Sequence, residues 1–154
     1  MKPGLECRLI SPELIGQVGR FFDRLAGAGV DRYFHPHPFT REEAERRARY
    51  TGQDLYYALL DGGEIAGYGM LRGWDEGYEV PALGIAVDPA LQGQGYGRIL
   101  MQFLHAAARA RGAKAVRLKV YGDNTPALAL YQSLGYVFQH EEGGQRVGIL
   151  NLGD

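Results

Sequence analysis

An apolar run, Leu83 to Val87 (LGIAV), leads into DPALQGQGYG over residues 88–97 and then into the helical pattern GRILMQFLHAAARARG. No other stretch restricts the fold as strongly. A strand, a loop with glycines at 93, 95 and 97, and a long helix in immediate succession form a layout that holds an anion. Glycine permits positive φ and close backbone approach, so successive N–H groups can converge on one point. The helix N-terminus adds about half a positive charge at the same place, and phosphate is its usual occupant.

Two common phosphate loops are excluded by what the stretch lacks. A P-loop needs Gly-Lys-Ser/Thr at the helix start, and here Gly97 is followed by Arg98 and Ile99. A dinucleotide fingerprint counted from Gly93 needs glycine at 98, where Arg98 stands. Taken alone, the loop can also be read as a glycine-rich turn without a ligand.

The chain around this loop has 154 residues, which predicts a single domain over 1–154. Lysine plus arginine number 17 against 18 acidic residues, so no general attraction to nucleic acid or to an acidic membrane surface is expected. No apolar run approaches the ~20 residues of a membrane span, and MKPGLECRLI lacks a signal-peptide core, so a cytoplasmic protein is the default expectation. Cys7 is the only cysteine, which rules out an intrachain disulfide and a cysteine-rich zinc site; a small core residue is its simplest reading.

In chain order, Glu6 to Ile10 reads as a strand, and Ser11-Pro12-Glu13 reads as a helix cap with proline at the first position. Leu14, Ile15, Val18, Phe21, Phe22 and Leu25 then give that helix one apolar face. YFHPHPFT, residues 33–40, reads as a stiff exposed loop, because Pro36 and Pro38 push His35 and His37 toward extended conformations. Its histidines are open between metal ligation, substrate contact and a rigid connection, although no third metal ligand has a recognisable spacing. Thr40-Arg41-Glu42-Glu43 is a capping box opening a charged helix.

From Tyr56 the period changes to two. YYALL, the turn Asp61-Gly62-Gly63 and EIAGYGML predict a hairpin, and RGWDEGYEV connects it to the strand before the glycine loop. In the long helix, Tyr96, Ile99, Leu100, Phe103, Leu104 and Ala107 form the expected apolar stripe, leaving His105 off it and solvated. AVRLKV predicts a strand, Asn124-Thr125-Pro126 a helix cap, and the segments flanking Gly143-Gly144 a final hairpin. The fold class is therefore α/β in the sense of an α+β mixed sheet, about seven strands flanked by about four helices on both faces.

Two motifs together resemble the GNAT superfamily of N-acetyltransferases. That family's acetyl-CoA loop, Gln/Arg-x-x-Gly-x-Gly/Ala after V-x-P, is filled by Gln92, Gly95 and Gly97 after Val87-Asp88-Pro89. Its second motif, Asn-x-x-Ala-x-x-Leu-Tyr-x-x-x-Gly-Phe, is filled by Asn124, Ala127, Leu130, Tyr131 and Gly135, with Tyr136 in place of the commoner phenylalanine. The resemblance is detailed over residues 80 to 138, and over the N-terminal third it holds in element order only.

The resemblance implies acetyl-CoA as co-substrate and no metal. It places a pyrophosphate on the backbone of Gln92, Gly93, Gln94, Gly95, Tyr96, Gly97 and Arg98, and a pantetheine along Ile85, Ala86 and Val87, with Asn124 ordering the nearby loop as a helix cap. Tyr131 is implied as the general acid toward the leaving thiolate. For the base the choice lies between Glu79, expected to be buried at the start of the strand before the loop, and a water chain, with Asp75, Glu76, His35 and His37 behind them.

Substrate contacts are expected from Phe34, His35, His37, Trp74, Asp75 and Glu76, and from the final hairpin around 140–145. Aromatic rings beside acids suit a small amine or sugar amine; a protein or peptide amine and a non-catalytic acyl-CoA sensor are the alternatives. The oligomeric state is left open between a monomer and a homodimer.

Overall fold

The structure is a computed structural model that describes residues 4–29 and 36–153. Seven strands form one sheet in the order β1-β2-β3-β4-β5-β7-β6: β1 Leu5–Leu9, β2 Leu55–Asp61, β3 Glu64–Arg72, β4 Ala82–Val87, β5 Ala115–Tyr121, β6 Val137–Glu142 and β7 Gln145–Asn151. All neighbours are antiparallel except β4 and β5. The sheet is mixed because a crossover helix separates β4 from β5, whereas Gly62-Gly63 and Gly143-Gly144, all at positive φ, turn the two hairpins.

Among the described residues four helices cover the sheet: α1 Ile15–Gly27, α2 Arg41–Ala48, α3 Tyr96–Ala110 and α4 Thr125–Ser133. On one face Val18, Phe21, Phe22 and Leu25 of α1 and Ala44 and Ala48 of α2 pack on Ala58, Tyr68, Met70 and Ala86. On the other, Leu100, Met101, Leu104 and Ala108 of α3 and Leu128 and Tyr131 of α4 pack on Leu59, Leu71, Leu83, Val116, Leu118 and Val120. The alternation along β2, β3 and β4 divides their side chains between these two cores.

Several sequence expectations need correction. The first helix opens with a 3-10 turn, Pro12–Leu14, and Ser11 makes no side-chain cap bond. Thr40 does cap α2, accepting the Glu43 N–H at 3.1 Å, while the Glu43 carboxylate is turned to Arg46 (2.5 Å) and Arg47 (3.1 Å). The buried stripe of α3 is rotated from the expected one, with Ile99 at 40% exposure and Met101 inside. Glycines in β3 set this seating: a Cβ at Gly69 would stand 2.8 Å from Leu104 Cδ1, so the helix rests directly on the strand backbone.

His105 is buried rather than solvated, with Nε2 2.8 Å from Tyr136 Oη. Its partner lies 31 residues away, out of reach of any periodicity argument. His37 is also inside the core, between Phe22, Phe39 and Tyr68, with Nε2 2.8 Å from Tyr68 Oη. The expectation of an exposed loop fails at this residue, and burial lowers its pKa. Phe34 and His35 lie outside the described residues.

Candidate active site

β4 and β5 share a single register pair, Ala82–Arg117, beside which Arg117 N–H donates to Pro81 O at 3.0 Å. Beyond this apex the two strands stop pairing, and a cavity of about 940 Å³ opens between them, lined by residues 82–87 of β4 and 117–121 of β5. The β4 edge facing β5 therefore carries backbone donors and acceptors that no neighbouring strand takes up. An extended ligand with amide groups can bond there as an added strand.

At the wide end of the wedge stands the glycine loop. Gly93 and Gly95 have φ of 77° and 94°, conformations that side-chain-bearing residues rarely adopt. The first hydrogen bond of α3 runs from Ile99 N–H to Gly95 O at 3.1 Å, so the amides of Tyr96, Gly97 and Arg98 have no acceptor within the helix. They are presented to the cavity at the positive end of the α3 dipole.

Side chains brace this loop from three sides. Asp88 accepts the Ala90 N–H at 3.0 Å and takes Arg24 Nε at 2.9 Å, and Arg24 also donates to Ile65 O at 2.9 Å. Tyr96 Oη donates to Asp61 at 2.8 Å. Arg98 donates to Ser133 Oγ at 2.7 Å, which ties the start of α3 to the end of α4. Asn124, at the first position before α4, lines the cavity but makes no side-chain cap bond, contrary to its expected role.

Tyr131 of α4 completes the wall. Its ring is 9% exposed, and burial pushes the phenol up to about 12. At neutral pH it is therefore a protonated donor. The ring packs 5.9 Å from that of Tyr136, whose hydroxyl is held by His105. Burial lowers the His105 pKa to about 4, so this support is an uncharged imidazole at neutral pH.

The structure thus brings Ile85, Ala86, Val87, Gln92, Gly93, Gly95, Tyr96, Gly97, Arg98, Asn124 and Tyr131 around one cavity, whereas Gln94 of the same loop is not among its lining residues. Other expected residues lie elsewhere. Glu79 is exposed in a bend before β4, neither buried nor in the strand, and it is not among the cavity-lining residues. Trp74, Asp75 and Glu76 form a 3-10 turn after β3, at the end of the sheet away from the glycine loop. There Arg111, just past α3, stacks 4.8 Å from the Trp74 ring, and Asp75 binds Tyr50 Oη and the Gln53 N–H.

The cavity also contains residues the motifs did not indicate. Arg117, Lys119 and Tyr121 line its β5 side, whereas Gln145 reaches it from the final hairpin, where contacts were expected. The alternation in AVRLKV, with Val116, Leu118 and Val120 buried, already placed Arg117 and Lys119 on a common face. Which face that is depends on the packing of α3 and α4.

The sequence profile of the acetyltransferase (GNAT) family matches residues 23–136 of the chain. The chain belongs to this family. It is 39% identical over 116 residues to the N-alpha-acetyltransferase RimI of Mycobacterium tuberculosis, covering 74% of this chain and 63% of that protein. It is 42% identical over 76 residues to the mycothiol acetyltransferase of Streptomyces coelicolor, covering 49% and 23%. The chain therefore spans less than two thirds of the length of these relatives.

The fold matches that of the PaiA N-acetyltransferase of Thermoplasma acidophilum, solved in complex with coenzyme A, with a TM-score of 0.79 at 13% identity over 97% of this chain and 99% of that one. The seven-stranded mixed sheet with four helices is the GNAT fold. Among the described residues no helix is long and apolar enough to cross a membrane, and no cluster of three or more His, Cys, Asp or Glu side chains could hold a metal ion.

Proposed function

We propose that this chain is an N-acetyltransferase that moves an acetyl group from acetyl-CoA to a primary amine by direct attack. The observation that carries this reading is the wedge itself, which has a glycine-amide cradle at its wide end and a buried, protonated tyrosine in its wall. The cradle fits a pyrophosphate because Gly93 and Gly95 supply positive φ, and because at Gly97 a Cβ would press on Leu130 at the seam of α3, α4 and β4.

The nitrogen–carbon bond forms on the thioester carbonyl, the carbon–sulfur bond breaks, the amine gives up one proton and the departing sulfur receives one. Each proton and charge has a place in this cavity. The N–H groups of Ile85 and Val87, which point away from β3 toward the opening, are the donors for the developing oxyanion. Tyr131, kept protonated by burial, donates its proton to the sulfur and recovers one from the water that takes the amine proton. No carboxylate is present among the described cavity-lining residues, which favours water over Glu79 as acceptor of the amine proton.

The acceptor we favour is a small amine. The N-terminal amine of a peptide is the second reading, and it is favoured by the relatives named as acting on a protein alanine. Calorimetry with acetyl-CoA, followed by thiol release across small amines, sugar amines and peptides, tests the proposal. Turnover of at least one amine class supports it. Tight binding of acetyl-CoA with no release for any amine would instead make the chain an acyl-CoA sensor.

A further inference from the structure

The cavity is charged on one side in a way the donor does not require. Its charged lining consists of Arg98, Arg117 and Lys119, with no Asp or Glu among the described lining residues. Arg98 belongs to the phosphate cradle and is bonded to Ser133. The other two do not. On β5 the residues Val116, Leu118 and Val120 point into the core under α3 and α4, so Arg117 and Lys119 point to the opposite face. The glycine loop opens α3, on the first of these faces, and the two cations stand on the second.

On that second face α1 and α2 cover β2, β3 and β4, while β5, β7 and β6 present Arg117, Lys119, Gln145, His140 and Glu142 beside Val147, Ile149 and Val137. Across the ladder Lys119 is opposite Val147, and Val147 is opposite His140; Tyr121 is opposite Gln145, and Gln145 is opposite Glu142. Glu142 binds His140 at 2.9 Å, Arg117 at 3.2 Å and Lys119 at 3.2 Å. Those bonds, His140's first and then Lys119's, hold the Glu142 carboxyl down to about 2, so it stays ionised. Two permanent cations against one carboxylate leave one net positive charge at the cavity wall, and a fork of guanidinium N–H groups remains for a further anion.

We propose that Arg117 and Lys119, aligned by Glu142, are the specificity residues of the acceptor site and select an amine that carries a carboxylate. This rests on the acetyltransferase reading above. The carboxylate has two sources, the α-carboxyl of an amino acid or the acidic side chain of a peptide beside its N-terminus. Both meet the same two cations. The amine end lies deeper, toward the unpaired edge of β4 and Tyr131, while the carboxylate stays near the apex where Arg117 joins β4.

The test uses acceptors that differ only in the carboxylate: alanine against alaninamide, and the dipeptide Ala-Asp against Ala-Asn, with thiol release as the readout. The acid of each pair is expected to have at least about tenfold higher kcat/KM, the scale of a charge-assisted hydrogen bond in a sheltered site. A preference in the first pair alone assigns the α-carboxyl, and one in the second alone assigns the side chain. Lys119→Gln and Arg117→Gln, both on half-exposed side chains, are expected to erase the preference, and Lys119→Glu to reverse it toward cationic amines.

Acetyl-CoA affinity by calorimetry should stay within about twofold in all three variants, since the phosphate cradle is on the other face. Equal turnover of acid and amide, a preference that survives Lys119→Gln and Arg117→Gln, or a tenfold loss of acetyl-CoA affinity would each overturn the inference. If no amine is turned over, the acetyltransferase reading fails separately. The inference is then decided by calorimetry of N-acetylalanine against N-acetylalaninamide with CoA present: tighter binding of the acid upholds it, and equal binding ends it.

Discussion

Gly97, in the first turn of α3, lies against Leu130 of α4 so closely that a β-carbon at 97 would stand 3.3 Å from Leu130 Cδ2. The same carbon would sit 3.8 Å from Val87 Cγ2 and 3.9 Å from Ile85 Cδ1, at the junction of the cradle with the wedge. Glycine here serves close packing, with no positive φ involved, unlike Gly93 and Gly95. Gly97→Val overfills this seam, so a stability loss of about 1–3 kcal/mol is expected, together with at least tenfold weaker acetyl-CoA binding. Thermal unfolding and calorimetry on the same preparation measure both effects.

Tyr131→Phe removes one hydroxyl from a ring that stays packed on Tyr136. The fold and acetyl-CoA affinity should be preserved while kcat falls by roughly 10- to 10⁴-fold. Thiol-release kinetics beside calorimetry separate the two quantities. An unchanged kcat would remove Tyr131 from the chemistry.

The pair of His105 and Tyr136 makes stability depend on pH. His105 has its pKa lowered by burial from 6.5 to about 4, so the unfolded chain binds the extra proton first. The stabilisation is complete above about 6.5 and is lost as pH falls toward 4, amounting to at most about 3 kcal/mol. His37, also lowered by burial, contributes with the same sign. His105→Leu should flatten the fall in melting temperature between pH 6.5 and 4, and an unchanged profile would show that this imidazole is not the group responsible.

Arg24 crosses from α1 to hold Asp88, whose side chain is 13% exposed, at the start of the glycine loop. Arg24→Ala leaves that carboxylate without its cation and frees the turn that sets the cradle. A loss of about 1–2 kcal/mol in stability and a three- to tenfold weaker acetyl-CoA affinity are expected, smaller than for Gly97→Val because the cradle amides themselves remain. Arg24→Lys should restore part of the affinity. Wild-type acetyl-CoA affinity in Arg24→Ala would show that the cradle stands without this brace.

Much of the fold could be read from local patterns. The two hairpins follow from Asp61-Gly62-Gly63 and Gly143-Gly144, the strand before the loop from LGIAV, and the second motif from Asn124 to Gly135, because each depends on neighbours a few residues away. Glu79 and Trp74 to Glu76 show where this stops. Their composition suits a substrate rim, but chain direction at the end of β3 carries them to the end of the sheet away from the glycine loop, where Arg111 stacks on Trp74 and Tyr50 binds Asp75. His37 and His105 were misplaced for a related reason: their hydroxyl partners on Tyr68 and Tyr136 each lie 31 residues away.

By itself the sequence determined the glycine loop, the strand and helix that frame it, and the tyrosine of α4, since backbone conformation and hydrophobic period are local properties. Only the tertiary structure decided that β4 and β5 part after Ala82 and Arg117, and which face of β5 looks into the opening. Those outcomes depend on how α3 and α4 seat on the glycines of β3 and on the second core, a balance of packing among segments far apart in the chain. The same packing turns Arg117 and Lys119 from an unremarked strand pair into the charged wall of the site.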